Sequence, residues 1–192
     1  MPSVKKSIRE GGHDLLVVLF VVYLVLLAWA VVWKLDTPYV GAAALLPRPI
    51  KLIPFVPSAA AGGSAPLEVV ANVLLFVPFG LYLWLVAPTW HWWKWTGVLV
   101  VASLILETTQ HLLSTGTFDT TDIIVNTAGG LVGIGLLTLA RRRLGARTVV
   151  VMTRVLLIGT VVSVLAIGIF VVSPAHYRPQ RDVIFSTPAP SR

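Results

Sequence analysis

Six polar residues stand in otherwise apolar surroundings: Asn72, Glu107, Gln110, His111, Asp122 and Asn126. Glu107, Gln110 and His111 follow i, i+3, i+4 spacing, so on a helix they share one face. Asp122 and Asn126 are four apart and do the same. A carboxylate beside amide and imidazole groups can move a proton or hold the polar head of a ligand. Each residue also has a plainer account. Asp122 suits the start of a helix, where an acid meets the positive end of the dipole. Asn72 and Asn126 can hydrogen-bond neighbouring helices, and His111 near a helix end suits an interface. Glu107 resists such an account best, since a lone charge inside an apolar span costs on the order of 3 kcal/mol.

Other chemistry is missing from the sequence. It shows no Ser-His-Asp constellation, no cluster with metal-ligand spacing and no glycine-rich phosphate loop before a helix. Cysteine is absent, which removes disulfides, thiolate metal sites and a Cys nucleophile. No cofactor or metal is expected.

The elements that position these residues follow from composition. Of 192 residues, 56% are apolar and 12% charged, about half the charged fraction of a soluble globular protein. Mean hydropathy is +0.86. So little polar surface excludes a water-soluble globule and points to an all-α integral membrane protein. A crossing helix needs about 20 mostly apolar residues. Five segments qualify: 15–33; 67–87, interrupted by Pro78 and Gly80; 95–113, broken by Glu107; the glycine-rich 123–140; and 155–172. The expected organisation is therefore an N-terminus at 1–14, a first span at 15–33, a Pro-rich loop at 34–66, a three-span core at 67–140, a basic loop at 141–154, a fifth span at 155–172 and a disordered tail at 173–192.

The first span reads as an uncleaved anchor. Its apolar run is longer than a typical signal segment, and Trp33-Lys34 follows instead of small residues. With the N-terminus in the cytoplasm, nine Lys and Arg fall inside and six outside, the Arg141–Arg147 segment deciding the matter. Trp90, Trp92, Trp93 and Trp95 then lie at the inner interface, which suits amphipathic rings. Lys and Arg beside aromatics can also mean nucleic acid, but between two spans that reading carries little weight. Within the loop, Ile50–Phe55 is too short to span and too apolar for ordinary loop, so it should enter the outer leaflet or pack across helix ends.

Under this topology, Asn72, Glu107 and Asn126 all fall roughly 7–10 Å below the outer ends of their helices, at about 1.5 Å per residue. Three helices thus bring polar groups to one depth, and a shared pocket is expected, with Glu107 bonded to Asn126, Gln110 or Asn72. Thr120 or Thr121 is expected to cap the fourth span. Gly129 and Gly133 form a GxxxG pair, a device for close helix packing.

Three blocks carry a family resemblance: Asn72-Val-Leu-Leu-Phe76-Val-Pro78-Phe-Gly80, then Ser103-Leu-Ile-Leu-Glu107-Thr-Thr-Gln110, then Asp119-Thr-Thr-Asp122-Ile-Ile-Val-Asn126-Thr-Ala-Gly129. In order and spacing, from about Leu52 to Leu137, they resemble the VanZ-like family of small bacterial membrane proteins. Its namesake is associated with low-level resistance to teicoplanin, a lipidated glycopeptide. The resemblance implies that Asn72, Pro78, Gly80, Glu107, Gln110, Asp122, Asn126 and Gly129 are the characteristic positions. Two departures stand out. Gly116 lies where an Arg often precedes the Asp-containing block, which weakens a guanidinium grip on phosphate, and Lys51 lies where an Asn often precedes Leu-Ile-Pro-Phe.

The leading expectation is a plasma-membrane protein, multi-pass, whose outer-leaflet polar pocket engages membrane lipids, a lipid-linked cell-wall precursor or a lipoglycopeptide. An alternative is an enzyme acting on an envelope lipid with Glu107 as general acid or base. A transporter or proton relay ranks lowest, because no second charge at mid-membrane continues a path.

Overall fold

The computed structural model describes residues 2–33, 50–56 and 66–172, with side chains from residue 12 to residue 169. Most of the loop expected at 34–66, and the tail at 173–192, lie outside the described residues. Among the described residues there are five long helices: α1 (Pro2–Trp33), α2 (Pro66–Val86), α3 (Trp92–Leu112), α4 (Thr120–Leu144) and α5 (Thr148–Val172). Two short strands, β1 (Ile50–Lys51) and β2 (Phe118–Asp119), pair in parallel, with Ile50 opposite Phe118 and Lys51 opposite Asp119. The expected apolar segment thus packs across helix ends by backbone pairing.

Local chemistry sets the helix ends. Pro66 opens α2, where its missing N–H costs nothing, and Glu68 follows in the first turn. The cap of α4 is Asp119, one residue before the expected threonines; its carboxylate accepts the Thr121 N–H at 2.7 Å. Asp is a strong acceptor in this position, and β2 holds it extended as a cap requires. Asp122 sits in the first turn. Arg141–Arg143 close the last turn of α4, complementing the negative dipole end. The stretch expected as a basic loop, 141–154, is mostly helical: α4 runs through it to Leu144, a single 3-10 turn covers Gly145–Arg147, and α5 begins at Thr148. Gly145 takes φ +55°, which a side chain would resist, so the reversal needs only this one turn.

The centre of the fold is the contact between α2 and α4. A methyl group on Gly80 would overlap the Gly130 carbonyl, one on Gly129 the Val73 carbonyl and one on Gly133 the Val77 carbonyl. Without those methyls the two backbones touch, which is how small residues hold apolar helices together. Pro78 follows Val77 inside α2 and removes the N–H that would bond the Leu74 carbonyl. Around this seam Phe76, Tyr82, Leu99 and Leu137 are fully buried. Phe20 of α1 packs on Phe79 and Tyr82, ring centres 5.5 and 5.4 Å apart. Tyrosine hydroxyls tie the outer helices on: Tyr23 donates to the Leu75 carbonyl, and Tyr82 meets Thr160 Oγ1 of α5 at 2.7 Å.

Three stretches among the described residues are long and apolar enough to cross a membrane: Gly12–Trp33, Pro66–Val86 and Thr120–Ile169, the last taking in α4 and α5. Outward-facing Val25, Leu74, Ile105, Leu139 and Ile158 are each more than half exposed, the pattern of side chains meant for lipid rather than water.

Candidate functional site

A cavity of about 750 Å³ opens among the helices near the start of α2 and the end of α3. Its polar wall carries Glu68 and Asn72 from α2, Glu107 and Gln110 from α3, and Asp119 and Asp122 from the β2–α4 junction. Its apolar wall is built from Leu26, Leu27 and Ala30 of α1 and Ala166 and Ile167 of α5.

Glu107 is 1% exposed, so its carboxyl is held by protein rather than water. Oε2 accepts the backbone N–H of Asp119 at 3.1 Å, and the carboxyl lies within hydrogen-bonding range of Asp122. Asp122 Oδ1 also accepts from Asn72 Nδ2 at 3.1 Å. Asn72, Asp122 and Glu107 therefore form one chain of contacts across α2, α4 and α3. Gln110, one turn beyond Glu107, donates from Nε2 to the Val31 carbonyl of α1 at 2.8 Å, which anchors α1 against the site.

Two expected members turn elsewhere. Asn126 is buried, but Nδ2 donates to Ser103 Oγ at 2.9 Å, and the residue does not line the cavity. It ties α4 to α3 one turn below Asp122. His111 also lies off the cavity, with Nδ1 buried and lacking a partner among the described residues. The reason is angular: on α3, Gln110 faces α1, and the neighbouring position points about 100° away.

The sequence reading did not assign Lys51 and Asp119 to the site. Lys51 Nζ lies 2.8 Å from Asp119 Oδ2, and both residues are buried. Thr120 Oγ1 donates to the Lys51 carbonyl at 3.1 Å, and the Phe55 N–H donates to Thr121 Oγ1 at 3.0 Å. Asp119 thus performs four tasks: its carboxylate caps α4 and binds Lys51, its N–H binds Glu107, and its backbone pairs with β1. The available clue was a lysine inside an apolar hexapeptide, since a cation there needs an acid.

A helical bundle with apolar outer faces, buried carboxyls and an amphipathic cavity defines a membrane protein of the small multi-helix kind. Sequence comparison gives its family. A family model described as VanZ/LLP1 matches residues 20–141. Protein VanZ of Enterococcus faecium is 32% identical over 129 residues, covering 67% of this chain and 77% of that protein. No solved structure matches the chain significantly. The chain belongs to the VanZ-like family. The matched residues end at Arg141, so the cavity wall supplied by α5 lies outside them.

Proposed function

We propose that this protein binds the lipid-tailed part of an envelope amphiphile in its cavity and thereby contributes to teicoplanin-type tolerance. The supporting observation is a single cavity with carboxyl and amide groups on one side and aliphatic side chains on the other. A ligand with an acyl or prenyl tail and a polar head matches both walls. In this reading all five helices cross the plasma membrane, the N-terminus is cytoplasmic and the cavity serves the outer leaflet. The basic residues concentrated at the end of α4 and in the turn that follows it favour that orientation. Expression in a susceptible Gram-positive host should raise tolerance to teicoplanin more than to vancomycin, which lacks the lipid tail. Glu107→Gln should reduce the gain. An equal shift for both drugs, or none, would refute the reading.

A second reading, an enzyme acting on an envelope lipid, is favoured by one observation: Glu107 and Asp122 are neighbouring carboxyls on the cavity wall. Such a pair can divide acid and base roles. Turnover of a lipid by purified protein, lost in Asp122→Asn, would establish it.

A further inference from the structure

The two halves of α5 are held differently. Up to Thr160 the helix is fastened to the bundle. Leu156 and Thr160 are buried, Met152 and Leu157 pack against the core, and the Tyr82 hydroxyl meets Thr160 Oγ1 at 2.7 Å and the Leu156 carbonyl at 3.3 Å. Beyond Thr160 the attachment stops. Among the described residues from Val161 to Ile169 no side chain is buried, and only Ile167 is half-buried. The one hydroxyl of this stretch, Ser163 Oγ, donates back to the Gly159 carbonyl at 2.8 Å instead of reaching a neighbouring helix.

This loosely held half is nevertheless a wall of the cavity. Ser163, Ala166 and Ile167 line it, and at about 100° per residue they share one face of α5, with Val161, Leu165 and Ile169 turned the other way. The outward face suits lipid. The inward face meets open cavity, whereas on the facing wall Leu27 and Val31 of α1 are buried.

The junction between the halves is suited to bending. Gly159 adjoins the pinned Thr160, and a methyl group there would meet nothing within 4 Å. Glycine weakens a helix interior, and here no close packing calls for it, unlike Gly129 and Gly133 in the seam of α2 and α4. A serine hydroxyl bonded to the carbonyl four residues back, as Ser163 is to Gly159, often bends the helix that carries it.

On the reading that the cavity takes an amphiphile, we infer that the half of α5 beyond Thr160 is a lateral gate, which swings about Gly159 while Tyr82 holds Thr160 and so opens the cavity to the bilayer. The occupant enters sideways from the leaflet. An aliphatic chain passing between α1 and α5 stays against Leu27, Ala30 and Ile167, which line the cavity, and never has to cross water. Loading then carries no large hydrophobic penalty.

The test uses the full chain in liposomes, where the absence of cysteine permits single reporters. N-Octadecylmaleimide stays in the bilayer. Ala30→Cys, on the cavity wall of α1, reports entry, and Val162→Cys, exposed on α5, reports access of the reagent to the helix surface. Ala30→Cys should react from the bilayer, and adding Gly159→Ala should slow it at least threefold while Val162→Cys reacts at an unchanged rate. Gly168→Ala, an equally uncontacted glycine beyond the junction, should alter neither rate. Spin labels read the motion itself through three exposed positions. The pair Leu74→Cys with Leu165→Cys should give a broad or two-peaked distance distribution that Gly159→Ala narrows, and the pair Leu74→Cys with Ile158→Cys a single narrow one.

Equal slowing by the two glycine substitutions, or by neither, overturns the gate, as do distributions of equal width for the two pairs. Failure of Ala30→Cys to react with the octadecyl reagent, when N-ethylmaleimide modifies it, also overturns lateral entry. Each of these results leaves the amphiphile reading in place, because the tolerance measurement tests that separately. Lateral entry without any tolerance effect would refute that reading and leave the gate.

Discussion

The two ends of the helical bundle treat charge in opposite ways. At the end where α2 and α4 begin, Lys51, Glu107 and Asp119 are each less than a tenth exposed, and each charge meets a partner side chain or a backbone N–H. At the other end, Arg141, Arg142, Arg143 and Arg147 are all exposed. Trp92 and Trp93 are exposed beside them, Lys94 rests over the Trp93 ring, and Arg141 lies over Trp84. The basic end keeps its charges solvated and can orient a protein at an interface without any built arrangement. Burying charge costs several kcal/mol per ion unless hydrogen bonds replace the lost water. The acidic end meets that demand with a strand pair, a cap and an ion pair, and the cavity opens there.

The contrast fails first, and most heavily, if the buried ion pair is not essential. Lys51→Met or Asp119→Leu alone should destabilise the protein by about 3–5 kcal/mol, because each strands the opposite charge. Thermal unfolding in detergent reads this, and the double substitution should recover a good part of the loss. Singles near wild type would show that the strand pair closes without the charges.

A somewhat smaller effect belongs to the seam joining the two ends. Gly133→Ala should cost about 1–3 kcal/mol by forcing α2 and α4 apart, whereas Gly135→Ala, whose added methyl meets nothing, should leave the unfolding temperature within a degree or two of wild type or raise it. Glu107 sharpens the comparison further. Glu107→Leu should cost about 1–3 kcal/mol, since the Asp119 N–H loses its acceptor. Glu107→Gln should unfold close to wild type while reducing the gain in tolerance. The smallest change is expected at the basic end. Arg142→Gln should shift stability by no more than about 0.5 kcal/mol, and its effect, if the proposed orientation holds, should be read by labelling a cysteine at Gly145 from outside intact cells.

How far the sequence could be read differs from residue to residue. The helices announced themselves through apolar run length, and α2 and α3 lie within three residues of the expected ends. Glu107 declared itself because an acid among Leu and Ile demands a partner. Its partner was less legible: Asp119 offers a backbone N–H, which no residue type advertises. Lys51 and Asp119 lie 68 positions apart, and only the pairing of two dipeptides brings them together. Asn126 was expected at the depth of Glu107, but it lies one turn below Asp122 on the same face of α4, where its amide meets Ser103, a register that only the packing of α3 on α4 decides. The contribution of α5 to the cavity was invisible for the same reason: Ser163, Ala166 and Ile167 are unremarkable in an apolar run, and tertiary packing alone decides which face they present.

The length of α1 carries a further consequence. At about 1.5 Å per residue, the apolar stretch Gly12–Trp33, 22 residues long, measures roughly 33 Å, close to the thickness of a bilayer's hydrocarbon layer. The helix nevertheless begins at Pro2. For a membrane-spanning α1, the ten residues before Gly12 continue the same rod through the headgroup layer, carrying Lys5, Lys6 and Arg9. A span of that length continued by a cationic helical segment would resist vertical drift. In a thicker membrane the extension would be drawn toward the acyl chains, and in a thinner one Trp29 and Trp33 would be lifted toward water. For such a span hydrophobic mismatch in either direction would carry a cost, and that cost would favour one depth for α1 and for the cavity whose wall it helps to build.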